Sequence, residues 1–365
     1  MTGDSRRRAL AGGGATGVVH GRWEHGSDFH LTLPRGDADA FPWGRGPVTL
    51  WGSGRDALRA VIRRGRQHRG WRRLHCPSFY CQDVVRALAR EIDVVLYAES
   101  PLEPAPALPR PAAHEVLLVV NVYGLRPRPE LPGGAVIEDH THDPWSDWAC
   151  SSQAEYAVVS LRKTLPLPDG GALWSPRSAP LPEERAMTSA HAQACLDRLS
   201  AMALKTRYLE GRRVAKAAFR ALAVAGERAV GAGDAPSGVS GYTRAALPAL
   251  PTARWRRARS GNRAALRAAL GDLPGVSVLD TPFAVTLVFH GTGADERRDR
   301  ARAALADARV YAAVLWPLES AAVGGIPAEH ADLARRLLTL QCDFRYTRRD
   351  MMVVAERVRR ICAAS

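Results

Sequence analysis

From residue 48 onward, apolar and polar positions fall into two alternating kinds of run. Short apolar runs bounded by turn residues predict strands at 48–51, 71–76, 94–97, 135–137, 157–159 and 170–173. The run 116–122 is apolar at all but one position, the pattern of a parallel strand buried on both faces. Between these runs the spacing changes to that of helices. Leu58, Val61 and Ile62 share one face of a helix over 55–64, and 84–88 predicts another. A long helical stretch over 182–230 is broken or bent around Gly211, and a Gly/Pro-containing connector follows at 231–251. The remainder reads as helices at 254–270, 295–307, 327–336 and 348–363, with strands at 276–279, 283–289, 310–315 and 337–340.

Strands alternating with helices predict an α/β domain with a mostly parallel sheet, and ligands of such sheets sit at the carboxyl ends of the strands. The expected organisation is a lead-in over 1–46, a large domain over 47–240 and a smaller α+β domain over 241–365. The lead-in is rich in Gly, Arg and His, carries Pro34 and Pro42, and reads as tail and irregular chain. No internal repeat is present.

Composition changes this picture in one respect. The 365 residues are 46% hydrophobic, enough for a large core. No apolar run approaches the roughly 18 residues of a membrane span, and the N-terminus lacks the apolar segment of a signal peptide, so a cytoplasmic protein is expected. Six cysteines at 76, 81, 150, 195, 342 and 362 form no CxxC pair and read as reduced thiols, with no metal set. The net charge of +14 is spread over arginines along the whole chain, which reads as a solvated surface rather than a nucleic-acid site. Of the 51 basic residues only Lys163, Lys205 and Lys216 are lysine. Arginine stays protonated, whereas lysine can form Schiff bases, so these three are the candidate amine nucleophiles.

The chemistry concentrates in Ile137-Glu138-Asp139-His140-Thr141-His142, then Ser160-Leu161-Arg162-Lys163, then Pro168-Asp169-Gly170-Gly171. Over residues 48–360 the chain resembles the DegT-type sugar aminotransferases, which depend on pyridoxal 5'-phosphate (PLP). The resemblance implies an aspartate-aminotransferase-like fold (fold type I). It assigns Asp139 to the pyridine nitrogen, His142 to the ring hydroxyl and Lys163 to the Schiff base, with Ser160 near the phosphate. A buried carboxylate keeps the ring nitrogen protonated, as the electron sink requires. The turn Gly52-Ser53-Gly54 before a helix resembles the family's phosphate cup, placing Gly54, Arg55 and Asp56 there, since glycines let amides approach an anion. Asp56 departs from the pattern, because its carboxylate must point away from phosphate. Cys76-Pro77-Ser78-Phe79-Tyr80-Cys81 resembles the Pro-Ser loop whose aromatic stacks on the ring; Tyr80 is the first choice, with Phe79 and Cys81 open. Ser160 lies only three residues before Lys163, closer than the family spacing.

His140 and His142, spaced as a His-x-His pair on an extended chain, also fit a metal, but His142 is already used by the PLP reading. His140 is a candidate substrate-binding residue. Arg345 is a candidate for a substrate carboxylate, with an internal pair to Asp343 or Asp350 as the competing reading. The implied function is amino-group transfer from an amino acid to a keto sugar or natural-product carbonyl. A lyase, decarboxylase or oxygen-dependent enzyme on the same fold is the alternative, and a non-catalytic regulator or nucleic-acid binder a further one. A small-molecule amino donor, a carbonyl acceptor and a second copy of the chain are the implied partners, with Asn262 or Arg263 reaching across a homodimer.

Overall fold

The computed structural model describes residues 21–33, 46–103 and 105–363. Its strands are β1 (His25–Gly26), β2 (Val48–Trp51), β3 (Arg73–Pro77), β4 (Asp93–Tyr97), β5 (Glu115–Val120), β6 (Ala135–Asp139), β7 (Tyr156–Ser160), β8 (Gly171–Trp174), β9 (Val276–Asp280), β10 (Val285–Phe289), β11 (Val310–Tyr311) and β12 (Leu337–Leu340). Its helices are α1 (Gly54–Arg69), α2 (Gln82–Ala89), α3 (Asp147–Cys150), α4 (Ser189–Leu209), α5 (Lys216–Ala229), α6 (Gly241–Ala246), α7 (Thr252–Leu270), α8 (Ala294–Asp307), α9 (Ala328–Arg336) and α10 (Arg348–Ala363). None of the described helices is long and apolar enough to cross a membrane.

Seven strands form one sheet in the order β2-β8-β7-β6-β5-β3-β4. The four pairings from β7 to β4 are parallel, and β8 runs antiparallel to both its neighbours. Every residue of β6 and β7 is buried, which follows from helices covering both faces. The alternation along β5 divides the core. Val116, Leu118 and Val120 pack in the cluster that contains Leu58, Val61 and Ile62 of α1. Leu117 and Val119 face the other way, with Val136 and Trp148. Each such side chain contributes about 1.5–3 kcal/mol on burial.

Ser53 caps the start of α1: its hydroxyl accepts from Asp56 N at 3.1 Å and donates to Asp56 Oδ2 at 2.7 Å. Such a cap is worth about 1 kcal/mol. The helix ends at Gly70, whose φ of 66° suits a glycine C-cap. The expected break at Gly211 is present: α4 stops at Leu209, Gly211 takes φ +85°, and α5 starts at Lys216.

A second sheet has the antiparallel order β12-β10-β9. The strand expected over 283–289 begins only at Val285, because Thr281 and Ala284 close a side-chain turn before it. The strand expected over 310–315 shortens to β11, and Trp316 takes φ 53° soon after. Residues 21–33, expected as irregular lead-in, are instead anchored. β1 pairs in parallel with β11, His25 Nε2 meets Gln341 O at 2.7 Å, and the Trp23 indole donates to Asp350 at 2.8 Å. A two-residue strand built around a buried histidine leaves no hydrophobic period to read. The rest of that lead-in lies outside the described residues.

Candidate active site

The parallel strands β7, β6 and, beyond β5, β3 end at the carboxyl edge of the large sheet. Asp139 closes β6, paired in register with Val158 of β7; Ser160 closes β7, and Lys163 lies in the single 3-10 turn that follows. The segment Ser78–Cys81 leaves β3 at the same edge. Gly54, at the start of α1, lies against Ser160: a Cβ there would stand 2.9 Å from the serine's Cβ. Gly171 approaches closer still, where a Cβ would meet the Ser53 carbonyl at 2.3 Å. These two glycines let α1's first turn sit directly on the ends of β7 and β8.

Asp139 is buried, and both of its oxygens are engaged. Oδ1 accepts from Thr141 N at 2.8 Å, and Oδ2 accepts a short hydrogen bond from the Tyr80 hydroxyl. Burial, and then the Asp139 charge, hold the Tyr80 hydroxyl well above the usual phenol range. Tyr80 thus meets the Asp139 carboxylate through its hydroxyl, while the Trp316 ring stands edge-on to the tyrosine ring at 5.4 Å. Phe79 is fully buried in the core. Cys81 is half-buried and lies close enough to Lys163 to interact electrostatically with it.

His142 is buried, with its ring stacked against Tyr123 and Trp316 and tilted on Phe283. Its Nδ1 accepts the Tyr123 backbone N–H at 3.1 Å, which fixes the proton of the neutral ring on Nε2. Burial, reinforced by the Lys163 charge, depresses its pKa to about 3. His140 goes elsewhere. It is fully buried against Trp148 and Trp174, with Nε2 2.9 Å from Glu138 Oε2. The two histidines do not share a side, because the chain turns after β6 (Asp143 N donates to His140 O) and is no longer extended. The candidate substrate role of His140 is therefore withdrawn.

Lys163 is about half-exposed, and its Nζ lies 3.2 Å from Glu227 Oε1. Glu227 also receives Arg162 at 2.5 Å and Arg198 at 2.7 Å. The neighbouring Arg162 charge lowers the Lys163 pKa, with Glu227 opposing it. In the expected phosphate cup, the Asp56 carboxylate turns inward to the Ser53 hydroxyl and to Ser237 N at 3.3 Å. Burial raises its pKa despite those bonds. The Arg55 guanidinium reaches the Val230 carbonyl. Only the backbone of this turn, not the Arg55 or Asp56 side chains, faces toward Ser160.

Arg345 does not join this group. Its guanidinium forms a two-pronged pair with Asp343, both contacts at 2.8 Å, and a further nitrogen donates to the carbonyls of Ser27 and Asp28. Both partners are buried, and the Asp343 charge helps raise the Arg345 pKa against burial. The structural reading holds and the substrate-carboxylate role falls. Asn262 and Arg263 are likewise turned inward, to the carbonyls of Asp343 and Tyr346 and to Asp280.

No family model and no curated protein matches the chain. Solved structures do. S. venezuelae DesV in complex with a ketimine intermediate aligns with a TM-score of 0.57 at 17% identity, over 88% of this chain and 86% of that one. DesI in the presence of its TDP-sugar product gives 0.55 at 18%, over 87% and 81%. Helicobacter pylori PseC, an aminotransferase involved in the biosynthesis of pseudoaminic acid, gives 0.57 at 10%, over 89% of each chain. The chain has the fold of the fold-type I PLP enzymes.

Within that fold several neighbours of the candidate residues carried no sequence signal. Tyr123 and Trp316, which pack on His142 and on each other, are single aromatics outside the α-helices and strands, both with positive φ. Glu227 and Arg198 come from helices that the sequence marks only as one long helical stretch over 182–230. Asp169, between Pro168 and the double glycine, accepts from Ser240 N, from the Ser240 and Thr243 hydroxyls, and pairs with His191 Nε2 at 3.0 Å. Cys195 lies beside this pair, and donor atoms of Asp169, His191 and Cys195 fall within 4.8 Å of one another. Four partners already surround the Asp169 carboxylate, so the cluster reads as the anchor of the 168–171 loop onto α4 and α6. A separate cavity, lined by Arg69, Arg110, Glu155 and Arg177, opens at the amino edge of the sheet, away from the candidate residues.

Proposed function

We propose that this chain is a PLP-dependent aminotransferase that moves an amino group from an amino acid to a keto sugar or natural-product carbonyl. The observation that carries the reading is the convergence of Asp139, His142, Ser160, Lys163 and the first turn of α1 on one edge of a fold-type I sheet. The residues present fit the cofactor. The fixed tautomer of His142 leaves Nε2–H as a donor for a phenolic oxygen, and the close approach of Gly54 to Ser160 puts helix-end amides beside a hydroxyl.

When bound, PLP supplies an electron sink for the carbanion at the substrate α-carbon. The chain supplies the rest. Asp139, buried and braced by Thr141 N and the Tyr80 hydroxyl, holds a proton on the pyridine nitrogen. His142 orients the ring from its hydroxyl side without adding charge, because it stays neutral at all but strongly acidic pH. Lys163 anchors the cofactor covalently and, once released by the amino donor, moves the α-proton as its general base and acid. The first turn of α1 and the Ser160 hydroxyl bind the phosphate. Trp316 and Phe283, brought from the second part of the chain, shield His142 from water.

We further propose a large body over 47–240, a small one over 241–365, and a homodimer that completes the site. What supports the sugar or natural-product acceptor is the likeness to DesI, DesV and PseC together with the motif order. The test is an amino-donor screen in sealed, oxygen-free buffer: keto acid formed from the donor, with equimolar amine appearing on the acceptor, supports transfer. Carbon dioxide release or oxygen dependence in its place overturns it.

A further inference from the structure

Glu227 is the carboxylate on which Lys163 rests, and three cations converge on it. Oε1 takes the Lys163 ammonium at 3.2 Å, and Oε2 takes Arg162 at 2.5 Å and Arg198 at 2.7 Å. Arg162 and Arg198 are more than nine-tenths buried, whereas Lys163 is about half-exposed. The two arginines fix the acid, and the lysine is the member free to leave.

The placement of Glu227 is over-determined. It lies in the last turn of α5, and the chain just beyond is tied to α1: Arg55 donates to the Val230 carbonyl, and Arg59 to the carbonyls of Gly233 and Asp234. Gly226, next to it, lets Arg198 pass, since a Cβ there would stand 2.5 Å from the arginine's Cγ. The helix that carries Glu227 is thus fastened to the first helix of the sheet, beside the turn proposed for the phosphate.

We propose that Glu227 is the positioning residue for Lys163: it parks the free amine in protonated form and so sets the pH at which Lys163 links to PLP. This rests on the reading of Lys163 given above. The linkage needs a neutral amine: the ammonium sheds one proton to solvent, Nζ attacks the aldehyde carbon, a C=N bond replaces C=O, and the oxygen leaves as water. A carboxylate 3.2 Å away holds the proton on. The other groups facing Lys163 are Arg162 from its own turn, Cys81 from the segment before α2 and His142 after β6. Arg162 opposes the ammonium, His142 is neutral, and Arg198 is paired with the other oxygen of Glu227. Glu227 itself stays ionised, because Arg162, Lys163 and Arg198 outweigh its burial.

The test is the rate of covalent PLP capture at Lys163, quenched with borohydride and read as a peptide mass increase, across pH, for the whole protein and for Glu227→Gln and Glu227→Asp. Glu227→Gln should move the midpoint to lower pH and speed capture at neutral pH by at least about threefold. Glu227→Asp, which keeps the charge but withdraws it by one methylene, should fall between. A structural role alone lowers the melting temperature without moving the midpoint. Unchanged midpoints in both variants, with normal capture, overturn the proposal. If Glu227→Gln does not fold, an unchanged midpoint in Glu227→Asp has the same meaning. Absence of capture at Lys163 in the wild type overturns the Lys163 reading itself, a distinct outcome.

Discussion

The backbone N–H of Tyr123 donates to Nδ1 of His142 at 3.1 Å, and this one bond decides what the histidine can do. It removes Nδ1 from the pool of bases, leaves Nε2–H as the only outward group, and keeps the ring uncharged among Tyr123, Trp316 and Phe283.

Keeping it uncharged has a thermodynamic consequence. The His142 pKa is depressed by burial from 6.5 to about 3, and that of His25, fully buried beside Gln341 O, to about 4. Between those values and 6.5 the unfolded chain binds more protons than the folded one, so stability present above 6.5 is lost as pH falls. At pH 5 each histidine costs about 2 kcal/mol relative to neutral pH. Glu99, raised by burial to about 6 beside Arg126, works in the opposite sense, because its folded form takes up a proton more readily as pH falls. Urea melts at pH 7 and pH 5 should show a net loss, and His142→Gln should remove its share of that pH dependence. An unchanged slope in the variant contradicts the neutral, buried histidine.

The Arg345–Asp343 pair predicts a stability defect rather than a binding defect. Breaking a buried pair leaves one charge uncompensated, at a cost of about 3–5 kcal/mol. Arg345→Ala should lower the melting temperature sharply, while the residual folded enzyme keeps its KM for the amino donor. A raised KM in a protein of normal stability would restore Arg345 to the substrate site.

Gly226→Ala tests how α5 is held. Its Cβ would meet Arg198 Cγ at 2.5 Å and the Ala194 carbonyl at 2.9 Å, so the α4–α5 contact must open. A loss of about 1–3 kcal/mol in chemical denaturation is expected, as for other overpacked sites. No loss would mean that α5 is not fixed against Arg198 as described.

Asp139→Asn should leave the fold in place and cut amino transfer by about two orders of magnitude or more, since a neutral amide cannot keep the ring nitrogen protonated. Tyr80→Phe, which removes only the brace on Oδ2, should cost much less. Equal losses in the two would point to Tyr80 as a direct participant.

Much of this architecture can be read along the chain because buried strands and one-sided helices leave periodic marks. The strand ends at Asp139 and Ser160, the break at Gly211 and the closing helix Arg348–Ala363 all lie at or within a residue or two of where the pattern changes. The misreadings share a cause: side-chain direction set by turns. His140 and His142 are written as a pair, yet the turn after β6 sends one beneath the sheet and the other to its edge. Arg345 reads along the chain as a binding group or, somewhat more readily, as half of an ion pair, and its two bonds to Asp343, with those to the Ser27 and Asp28 carbonyls, decide. Glu227 lies 64 residues from Lys163, and although it is the single acid of α5, nothing along that helix announces which distant amine it will meet.

The central claim is that Lys163 carries PLP. The most direct test is the visible spectrum of the purified protein with added PLP, beside Lys163→Ala. A borohydride-sensitive absorption band in the wild type, absent from the variant, with the reduced cofactor located on the Lys163 peptide by mass, is the predicted result. No such band in the folded wild type, or one that persists in Lys163→Ala, would contradict it.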